Sequence, residues 1–390
     1  MKKNKLLIIG GGFGGCTSAR LFGQKDDWDI TMIESTNELG GGVRTRFKSG
    51  HPYTFGPRHF LTHNEKVYNY LNEIVPMRRC AEHEFLSYIE NDKNFYSYPI
   101  HEDDIPRMPD SKAIKDELNK LDEYFKDKSF ALTHGNKILE EKASDYEDFW
   151  IRSVGPTLYK KFIKDYTKKM WQIDDNSVIS DFSWSPKGVA IKKGPRAGWD
   201  TAISAYPIAN DGYNKYFDET TQFVDKMLFN HRVEKLFPNK NKVLIDGIEY
   251  EFDLIINTVP VDDLIKESGL PKLDYIGRRI EYVILPVEFA LPNNVYFTYY
   301  CGKEDYTRVC EYKKFSNYKS PNTLISLEYP VLKGGKYYPL PTAEMKLNYK
   351  TYCNLMNDKF ICIGRIGKYN YRYDIDDVIE QALEVYENFK

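Results

Sequence analysis

Short apolar runs that lack the polar alternation of a half-exposed strand recur along the chain, at residues 6–9, 254–259 and 360–363. A run of this kind predicts a strand of a parallel sheet that is covered on both faces. Behind the first run we expect a helix and then a second strand, at residues 30–33. The chain therefore begins with a predicted strand–helix–strand unit.

Glycines at fixed spacing join the first strand to its helix. Gly10, Gly12 and Gly15 match the pattern Gly-x-Gly-x-x-Gly, with Phe13 and Gly14 between them. The first glycine makes the tight turn, the second lets backbone approach a pyrophosphate, and the third lets the helix pack closely on the strand. Because the helix N-terminus presents free N–H groups to that pyrophosphate, we predict a dinucleotide site here.

Glu34 and a second glycine cluster refine this prediction. A carboxylate at the end of the second strand, about twenty residues past the glycines, is placed to accept hydrogen bonds from an adenosine ribose. Gly40, Gly41 and Gly42 follow, and they allow a second close approach of backbone to phosphate, which favours FAD over NAD. The order of these features resembles the flavin-binding half of the amine-oxidase and sugar-mutase flavoproteins.

Further elements are predicted downstream. Residues 65–75 form a short amphipathic helix and residues 85–100 a hairpin. Residues 114–171 carry apolar side chains at helical spacing, and residues 275–329 alternate apolar and polar positions as an antiparallel sheet does. An amphipathic helix at residues 376–389 closes the chain.

The predicted fold class is α/β, with a Rossmann-like FAD-binding domain, an inserted helical domain and an antiparallel β-sheet substrate domain. With 390 residues, the chain is long enough for two or three domains. The expected boundaries are 1–65 with 214–262 and 343–390 for the FAD-binding domain, 102–180 for the helical domain, and 76–101 with 181–213 and 263–342 for the sheet domain. Residues 183–213, rich in Pro, Gly, Lys and aromatic residues, are expected to form a mobile lid.

Composition excludes some classes of partner. The formal net charge is −2 with 29% charged residues, so nucleic acid is not an expected partner. No apolar run could span a bilayer and no signal peptide precedes the first strand, so we expect a cytoplasmic protein without an integral membrane segment. The six cysteines lack Cys-x-x-Cys spacing, which argues against a zinc site and for core thiols.

Aromatic residues are unusually frequent, and 31 of them are tyrosines. A compositional bias of the genome and a functional use of some tyrosines both remain open as explanations. Residues 158–171 place Tyr159, Phe162, Tyr166 and Trp171 on one helix face. Core packing would explain this stripe equally well, but the polar residues between the aromatics favour a face that lines a wet groove.

Six motifs resemble, in the same order, those of the UDP-galactopyranose mutases, and they span nearly the whole chain. They are Phe55-Gly56-Pro57-Arg58-His59-Phe60-Leu61-Thr62, Tyr166-Thr167-Lys168-Lys169-Met170-Trp171, Tyr306-Thr307-Arg308-Val309-Cys310-Glu311, Glu328-Tyr329-Pro330, Tyr337-Tyr338-Pro339, and Gly364-Arg365 followed by Tyr369 and Tyr371.

This resemblance implies a non-redox use of FAD. In that family, N5 of the reduced flavin attacks the anomeric carbon of a nucleotide sugar, expels UDP, and holds the sugar as an adduct while its ring recloses with five members. The expected activity is the interconversion of UDP-galactopyranose and its furanose form, for surface polysaccharide biosynthesis. The expected partner is a UDP-sugar, and a homodimer is left open.

The resemblance also implies roles for single residues at the substrate. Arg308 matches the arginine that binds the diphosphate, and Arg196 matches a second arginine carried by the lid. Tyr338 and Tyr371 match tyrosines that hydrogen-bond the diphosphate, although Tyr373 could take the role given to Tyr371.

Other matches concern the base, the sugar and the flavin. Phe162 and Tyr166 match the aromatic pair beside the uracil, and Trp171 matches a tryptophan near the sugar and flavin. Glu328 corresponds to an acidic residue beneath the sugar, and Arg365 to an arginine at the flavin. Gly364 precedes the predicted closing helix, whose N-terminus can face the flavin pyrimidine. A predicted strand at residues 230–236, with Val233 at its centre, offers backbone to the adenine.

The chain departs from the family pattern at the flavin. Arg58 and Leu61 replace two histidines, while His59 sits one position along. A fixed cation would change flavin electronics and substrate fit, because arginine does not titrate near neutral pH as histidine does. The lid sequence after Arg196 is also poorly matched. The sugar therefore stays open between galactose, N-acetylgalactosamine, a pentose and a deoxyhexose.

Two rival functions are compatible with the sequence. A flavin amine oxidase or desaturase shares the fold, but it would need an apolar substrate tunnel rather than Arg308 and a tyrosine cluster. An inactive flavin- or nucleotide-binding subunit would explain the altered histidine motif. A mutase is distinguished from both by isomerising nucleotide sugars without consuming oxygen or an electron acceptor.

Overall fold

The computed structural model describes residues 3–125, 143–180, 191–199 and 202–389. At its centre is a parallel sheet that contains all the buried strands predicted from the apolar runs. In spatial order its strands are Lys226–Phe229, Trp28–Glu34, Asn4–Ile9, Leu254–Asn257 and Phe360–Cys362. Every neighbouring pair is parallel. This is a Rossmann-like sheet, as predicted.

The first helix, Phe13–Gly23, packs against the closing helix, Ile375–Phe389, on one face of this sheet. Their contact is close because Gly14 faces Val378, where an added Cβ would lie 3.0 Å from the valine side chain. The helix predicted at 65–75 is present as Glu65–Ile74, with Asn64 capping its N-terminus.

The strand predicted at residues 230–236 is wrong for most of its length. The preceding strand ends at Phe229, and Asn230 adopts a positive φ of 59° that turns the chain out of the sheet. The next strands, Lys235–Phe237, Lys242–Ile245 and Ile248–Glu251, form a separate antiparallel meander. Val233 lies in the connection and is buried.

A seven-stranded sheet faces the helical segment. Its strands, in spatial order, are Tyr338–Pro339, Tyr275–Leu285, Thr323–Val331, Arg308–Glu311, Val295–Tyr300, Glu84–Ile89 and Asn94–Ser97. The predicted hairpin at 85–100 and the predicted sheet at 275–329 both belong to it. All pairs are antiparallel except that of Val295–Tyr300 with Glu84–Ile89.

Two smaller sheets carry the glycine- and aromatic-rich stretch at residues 50–64. One pairs Arg46–Lys48 with His51–Tyr53, and the other pairs Phe60–Thr62 and Met77–Arg79 with Ile203–Pro207. The turn between them holds residues 54–59. It therefore projects from fixed strands at both ends.

The helical segment comprises Ser111–Phe125, Tyr146–Val154, Pro156–Leu158, a π-helical turn at Tyr159–Lys164, and Asp165–Trp171. Residues 126–142 of the predicted helical region lie outside the described residues, as do 183–190 and 200–201 of the predicted lid.

The remaining helices of the described residues are short. They are Asn214–Thr220, Val261–Leu264, Lys313–Ser316, Ala343–Cys353 and Gly364–Gly367, with 3-10 turns at Gly41–Val43, Glu90–Asp92, Glu102–Arg107, Asn176–Val178 and Pro238–Lys240. In the part of the chain that is described, no helix combines the length and apolarity needed to cross a bilayer.

Candidate active site

The first glycine cluster has the steric properties that its spacing predicts. Gly10 has a φ of +99°, and a Cβ there would lie 2.2 Å from Oγ1 of Thr258. A Cβ on Gly15 would lie 2.0 Å from the carbonyl oxygen of Gly10, so only glycine allows the helix this close to the strand. Above Gly12, no atom of the described residues lies within 4 Å of the position a Cβ would take. The helix N-terminus therefore opens onto free space.

Glu34 joins the two glycine clusters. Its Oε2 accepts a hydrogen bond of 2.9 Å from the backbone N–H of Gly11, and its Oε1 accepts one of 2.8 Å from that of Thr36. The N–H of Gly40 donates to the carbonyl of Gly11 over 2.8 Å. Gly41 has a φ of +53°, and a Cβ there, as at Gly12, would meet no atom of the described chain within 4 Å. The two clusters thus form one open backbone surface.

Phe13 and Val233, which were predicted to bind the cofactor, have side chains that pack in the hydrophobic core. Phe13 packs against Tyr213, Tyr216 and Phe217, with ring centroids 4.7–5.4 Å apart. Val233 belongs to the apolar core beneath the antiparallel meander. These two residues would therefore contact a dinucleotide through their backbone atoms.

The turn after the last parallel strand is held by the closing helix. The N–H of Gly364, whose φ is +78°, donates to Oε1 of Gln381 over 2.9 Å. Arg365 donates from Nε to the carbonyl of Tyr373 over 2.9 Å and lies 3.7 Å from Asp374. Its guanidinium carbon is 5.0 Å from the ring centroid of Tyr371. Arg365 is thereby fixed at the wall of a large cavity.

That cavity, of about 340 Å³, is within the size range of small-molecule sites. Its walls come from residues 57–63, the helical segment, the seven-stranded sheet and the segment at residues 365–376. Eight of the predicted site residues line it: Arg58, His59, Phe162, Tyr166, Arg308, Tyr338, Arg365 and Tyr371. Tyr373, the alternative to Tyr371, is not among the lining residues.

Arg308 is held by a buried carboxylate. Glu328 is 2% exposed and accepts from Nε of Arg308 over 3.1 Å and from Nη2 over 2.7 Å. This bidentate pair fixes the guanidinium plane from the adjacent strand. Glu328 is not among the residues that line the cavity, so it positions the arginine rather than facing the space itself.

Tyr338 lies among four guanidinium groups. Burial alone would raise the pKa of its phenol, but the positive charges of Arg58, Arg278, Arg308 and Arg365 outweigh burial and lower the pKa to about 8. The centroid of its ring is 4.5 Å from the guanidinium carbon of Arg278 and 5.5 Å from that of Arg365. This concentration of positive charge suits an anionic ligand.

Part of the cavity wall is aromatic. Phe162 and Tyr166 line it from the helical segment, together with Tyr98, Tyr146 and Tyr299, which sequence reasoning missed. Tyr166 meets Tyr299 edge to face at 5.5 Å, and burial raises the pKa of the Tyr166 phenol, which keeps it neutral. A planar ring is the kind of group that such a surface accommodates.

Arg196 and Trp171 are not among the cavity-lining residues. Nη1 of Arg196 donates to Ser97 and, over 3.0 Å, to the buried carboxylate of Asp104. Trp171 is fully buried and packs edge to face against Tyr371 at 4.8 Å. Trp171 is therefore one layer behind the cavity wall, and Arg196 is engaged with the 97–104 segment.

The substituted histidine motif faces the cavity. Arg58 and Leu61 both line it, and Nη2 of Arg58 would lie 3.5 Å from a Cβ on Gly42. Arg58 thus connects the second glycine cluster to the cavity. Nε of Arg58 is buried without a hydrogen-bond partner among the described residues. His59 stacks on Phe315 with centroids 5.5 Å apart.

Asp376 is a further lining residue that the sequence did not indicate. It lies in the first turn of the helix Ile375–Phe389. Burial, together with the charges of Asp377 and Asp374, raises the pKa of Asp376 to about 7. A carboxyl group with a raised pKa therefore lines the same cavity as the arginines.

Comparisons with known proteins agree with this geometry. The family model described as UDP-galactopyranose mutase matches residues 161–371, and the model of an NAD(P)-binding Rossmann-like domain matches residues 8–74. A dTDP-fucopyranose mutase of Escherichia coli is 24% identical over 98% of this chain and 97% of its own length. A probable UDP-galactopyranose mutase of Klebsiella pneumoniae is 24% identical over 100% of this chain and 95% of its own length.

Solved structures share the fold. A reduced UDP-galactopyranose mutase superimposes with a TM-score of 0.78 at 16% identity, covering 100% of this chain and 94% of the other. A putrescine oxidase bound to putrescine gives a TM-score of 0.60 at 12% identity, covering 100% and 99%. At these identities the likeness concerns the fold alone.

Proposed function

The chain belongs to the UDP-galactopyranose mutase family, whose model matches more than half of it, and we propose that it interconverts UDP-galactopyranose and its furanose form. Members of this family are isomerases that convert nucleotide sugars between pyranose and furanose. The two relatives that are 24% identical to this chain are named for different nucleotide sugars. The sugar and the nucleotide of the substrate are therefore to be determined by experiment. UDP-N-acetylgalactosamine and dTDP-fucopyranose are the alternatives.

One observation carries the proposal: four guanidinium groups surround the phenol of Tyr338 in a cavity whose wall also carries several aromatic side chains. A nucleoside diphosphate sugar has complementary chemistry, with two negative phosphates beside a planar base. Guanidinium groups suit phosphates because they present several donors in fixed directions. An amine substrate, by contrast, would enter this cation cluster as a like charge.

The glycine surface fits FAD as cofactor. Free space above Gly12 and Gly41, with a helix N-terminus between them, can accept a pyrophosphate against backbone N–H groups. Oε1 of Glu34 is taken up by Ser35 and Thr36, but Oε2 accepts only from Gly11 within the described chain and could accept from a ribose. Arg365 stands at the cavity end of the last parallel strand. When bound and reduced, the flavin would supply the N5 nucleophile for the anomeric carbon of the sugar.

The residues of the chain then stabilise the departing nucleotide. Arg308, oriented by Glu328, would neutralise the charge that grows on the diphosphate as the glycosidic bond breaks. The neutral phenols of Tyr338 and Tyr371 would donate hydrogen bonds to the same phosphates. Phe162 and Tyr166 would hold the base, and so fix the distance between the sugar and the flavin.

Arg58 would act at the sugar end. Its guanidinium lies between the second glycine cluster and Tyr338, so it would face both the flavin and the sugar. Arg196 would join the site only if its contacts with Ser97 and Asp104 are broken, as lid closure over a substrate would require. Trp171 would act through Tyr371, against which it packs.

Turnover by the reduced protein tests the proposal. FAD-loaded enzyme is reduced with dithionite without oxygen and incubated with UDP-galactopyranose, UDP-N-acetylgalactosamine or dTDP-fucopyranose, and products are separated by chromatography. We expect a furanose product from one of these sugars with reduced enzyme and none with oxidised enzyme. Binding of nucleotide without product would instead assign the chain to a binding subunit.

A further inference from the structure

The closing helix runs beside the first helix in the same direction. Gly14 of the first helix faces Val378, near the start of the closing helix. Towards the other end, Phe22 meets Tyr386 edge to face, with ring centroids 5.3 Å apart. Both N-termini are therefore at the same end of the helix pair. Because the first turn of the closing helix also lines the large cavity, a cofactor that extends from Gly12 into the cavity passes that turn.

Asp376 is the residue of this turn that faces the cavity. Its side chain is partly exposed and accepts a hydrogen bond from the hydroxyl of Thr62, which lies in the same cavity wall. Arg365, His63 and Arg372 also line the cavity, but within the described ranges none of them forms an ion pair with Asp376. A ligand in the cavity therefore meets a carboxyl group that no cation of the described chain has paired with.

The surroundings of Asp376 favour its protonated form. Burial and the negative charges of Asp377 and Asp374 raise its pKa, and they outweigh the hydrogen bonds from Thr62 and from the N–H of Asp377. Glu380, one turn further along the closing helix, adds another negative charge near Asp377. Because like charges disfavour the ionised carboxyl group, further negative charge in the cavity would favour binding of a proton to Asp376.

We propose that Asp376 is a proton-binding residue of the flavin site, whose carboxylate takes up a proton when bound FAD is reduced. This inference rests on the proposed function and adds a residue to it. A reductant such as dithionite supplies two electrons, one proton goes to N5 as the anionic reduced flavin forms, and a second proton passes from water to Asp376. The resulting carboxylic acid can donate a hydrogen bond to an anion, which a carboxylate cannot do.

The test follows the reduction potential of the FAD-loaded protein against pH, with dithionite and mediator dyes in a sealed optical cell. Each proton taken up changes the equilibrium constant tenfold per pH unit, which is about 30 mV for a two-electron couple. Above about pH 7 we expect a slope of about 60 mV per pH unit in the wild-type protein, since two protons accompany two electrons. Asp376→Asn has no carboxylate to protonate and should give about 30 mV over the same range.

Asp377→Asn is the matched control. Asp377 is the next residue in the chain but is not among the residues that line the cavity. Its charge raises the pKa of Asp376, so in Asp377→Asn the steeper slope should persist and begin at a lower pH. If Asp376→Asn takes up too little flavin to be measured, Asp376→Ala is the second variant, with the same expected slope.

Equal slopes in the wild-type protein and Asp376→Asn would overturn the inference, and so would a steep slope that is lost in Asp377→Asn instead. Isomerisation measured on the same preparations separates the inference from the proposed function. Furanose product with equal slopes would keep the function and remove the role of Asp376. The expected slopes without any product would keep that role and remove the function. A protein that takes up no FAD would overturn both.

Discussion

At the scale of single residues, the site combines fixed cations with neutral phenols. Arg308 is oriented by a buried carboxylate, and Tyr338 is surrounded by guanidinium groups that lower its pKa to about 8. Most of the positive charge is held in place by strands and turns rather than by long surface side chains. Such preorganised charge costs little rearrangement when negative charge develops on a ligand.

Arg308→Ala is expected to abolish most turnover while FAD uptake stays normal. The substitution removes a charge-assisted contact to the leaving diphosphate, so transition-state stabilisation should fall by about 2–4 kcal/mol. Steady-state isomerisation rates and the flavin absorbance of the purified variant measure the two effects. Arg279→Ala, which changes an exposed arginine, is the control. Near-normal turnover of Arg308→Ala would remove the role proposed for Arg308.

Tyr338 predicts a pH dependence of nucleotide binding. The folded-state pKa of Tyr338, about 8, is below the ordinary value of 10.0. The phenolate therefore stabilises the folded, nucleotide-free protein above pH 10, and this stabilisation is lost as pH falls through about 8. A phenolate would repel phosphates, so UDP affinity should decrease as pH rises through about 8. Titrations with UDP on either side of that pKa measure this.

Tyr338→Phe should flatten that dependence because no titrating group remains at this position. Tyr337→Phe is the matched control, since Tyr337 stacks on Phe55 and does not line the cavity. An unchanged pH slope in Tyr338→Phe would show that another group, for which Asp376 is the candidate, controls binding.

Motif order located part of this site, but side-chain direction had to come from the structure. Arg308, Tyr338 and Tyr371 stand in recognisable contexts, and each lines the cavity. Arg278 was missed because adjacent arginines on a strand face opposite sides, and the local sequence does not say which one faces inward. Asp376 was missed because a charged residue in the first turn of a helix is ordinary.

At the scale of elements, the glycine clusters and the helices behind them form one surface. The carboxylate of Glu34 and the bond from Gly40 to Gly11 connect them. Gly12 has free space where a Cβ would lie, whereas a Cβ on Gly15 would meet the backbone of Gly10. Substitution of the two glycines should therefore have different effects.

Gly12→Ala should fold normally but bind FAD at least about tenfold more weakly, a loss of roughly 1.4 kcal/mol. Gly12 has extended backbone, and among the described residues the added methyl would have no neighbour within 4 Å, so a bound ligand is what it would meet. Flavin content and thermal unfolding measure the two properties. Full FAD affinity in Gly12→Ala would contradict the proposed pyrophosphate position.

Gly15→Ala, in contrast, should destabilise the fold itself by roughly 3 kcal/mol or more. The added methyl would lie 2.0 Å from the backbone oxygen of Gly10, so helix and strand would have to separate. Denaturant unfolding of the flavin-free protein measures this. A variant as stable as Gly12→Ala would contradict the close packing of this helix.

Asp376 gives a stability prediction for the closing helix. Because its folded-state pKa is raised from 3.8 to about 7, its contribution to stability is present below pH 3.8 and lost as pH rises through about 7. When measured at a pH above that folded-state pKa, the melting temperature of Asp376→Asn should therefore be a few degrees higher than that of the wild-type protein. At mildly acidic pH the substitution should change the melting temperature less. Asp358→Asn, at an exposed site, is the control. Equal shifts under both conditions would contradict the raised pKa.

Most helices and strands could be predicted from the periodicity of apolar residues, and the wrong predictions have local causes. The buried parallel strands and the amphipathic helices were found because burial on one or both faces leaves a clear pattern. The segment at 230–236 failed because alternating polar and apolar residues there follow a turn at Asn230 instead of a strand. The π-helical turn at Tyr159–Lys164 has no counterpart in side-chain spacing.

At the scale of the molecule, the parallel sheet and the seven-stranded sheet both contribute residues to the cavity. The parallel sheet ends in the glycine surface and Arg365, while the seven-stranded sheet contributes Arg278, Arg308 and Tyr338. A cofactor on the first and a nucleotide on the second would bring their reacting groups together between them. The predicted division into three domains and a moving lid stays a prediction, and limited proteolysis with and without UDP would examine it.

A site that isomerises a nucleotide sugar does so without net oxidation or reduction, and this is what distinguishes the proposed mutase from an oxidase of the same fold. The deciding experiment follows UDP-galactopyranose by NMR in a sealed anaerobic sample of dithionite-reduced, FAD-loaded protein, with flavin absorbance recorded before and after. We expect many turnovers to a furanose product while the flavin remains fully reduced. Oxidation of the flavin in proportion to product, or a product other than a ring isomer of the substrate, would contradict the proposed function.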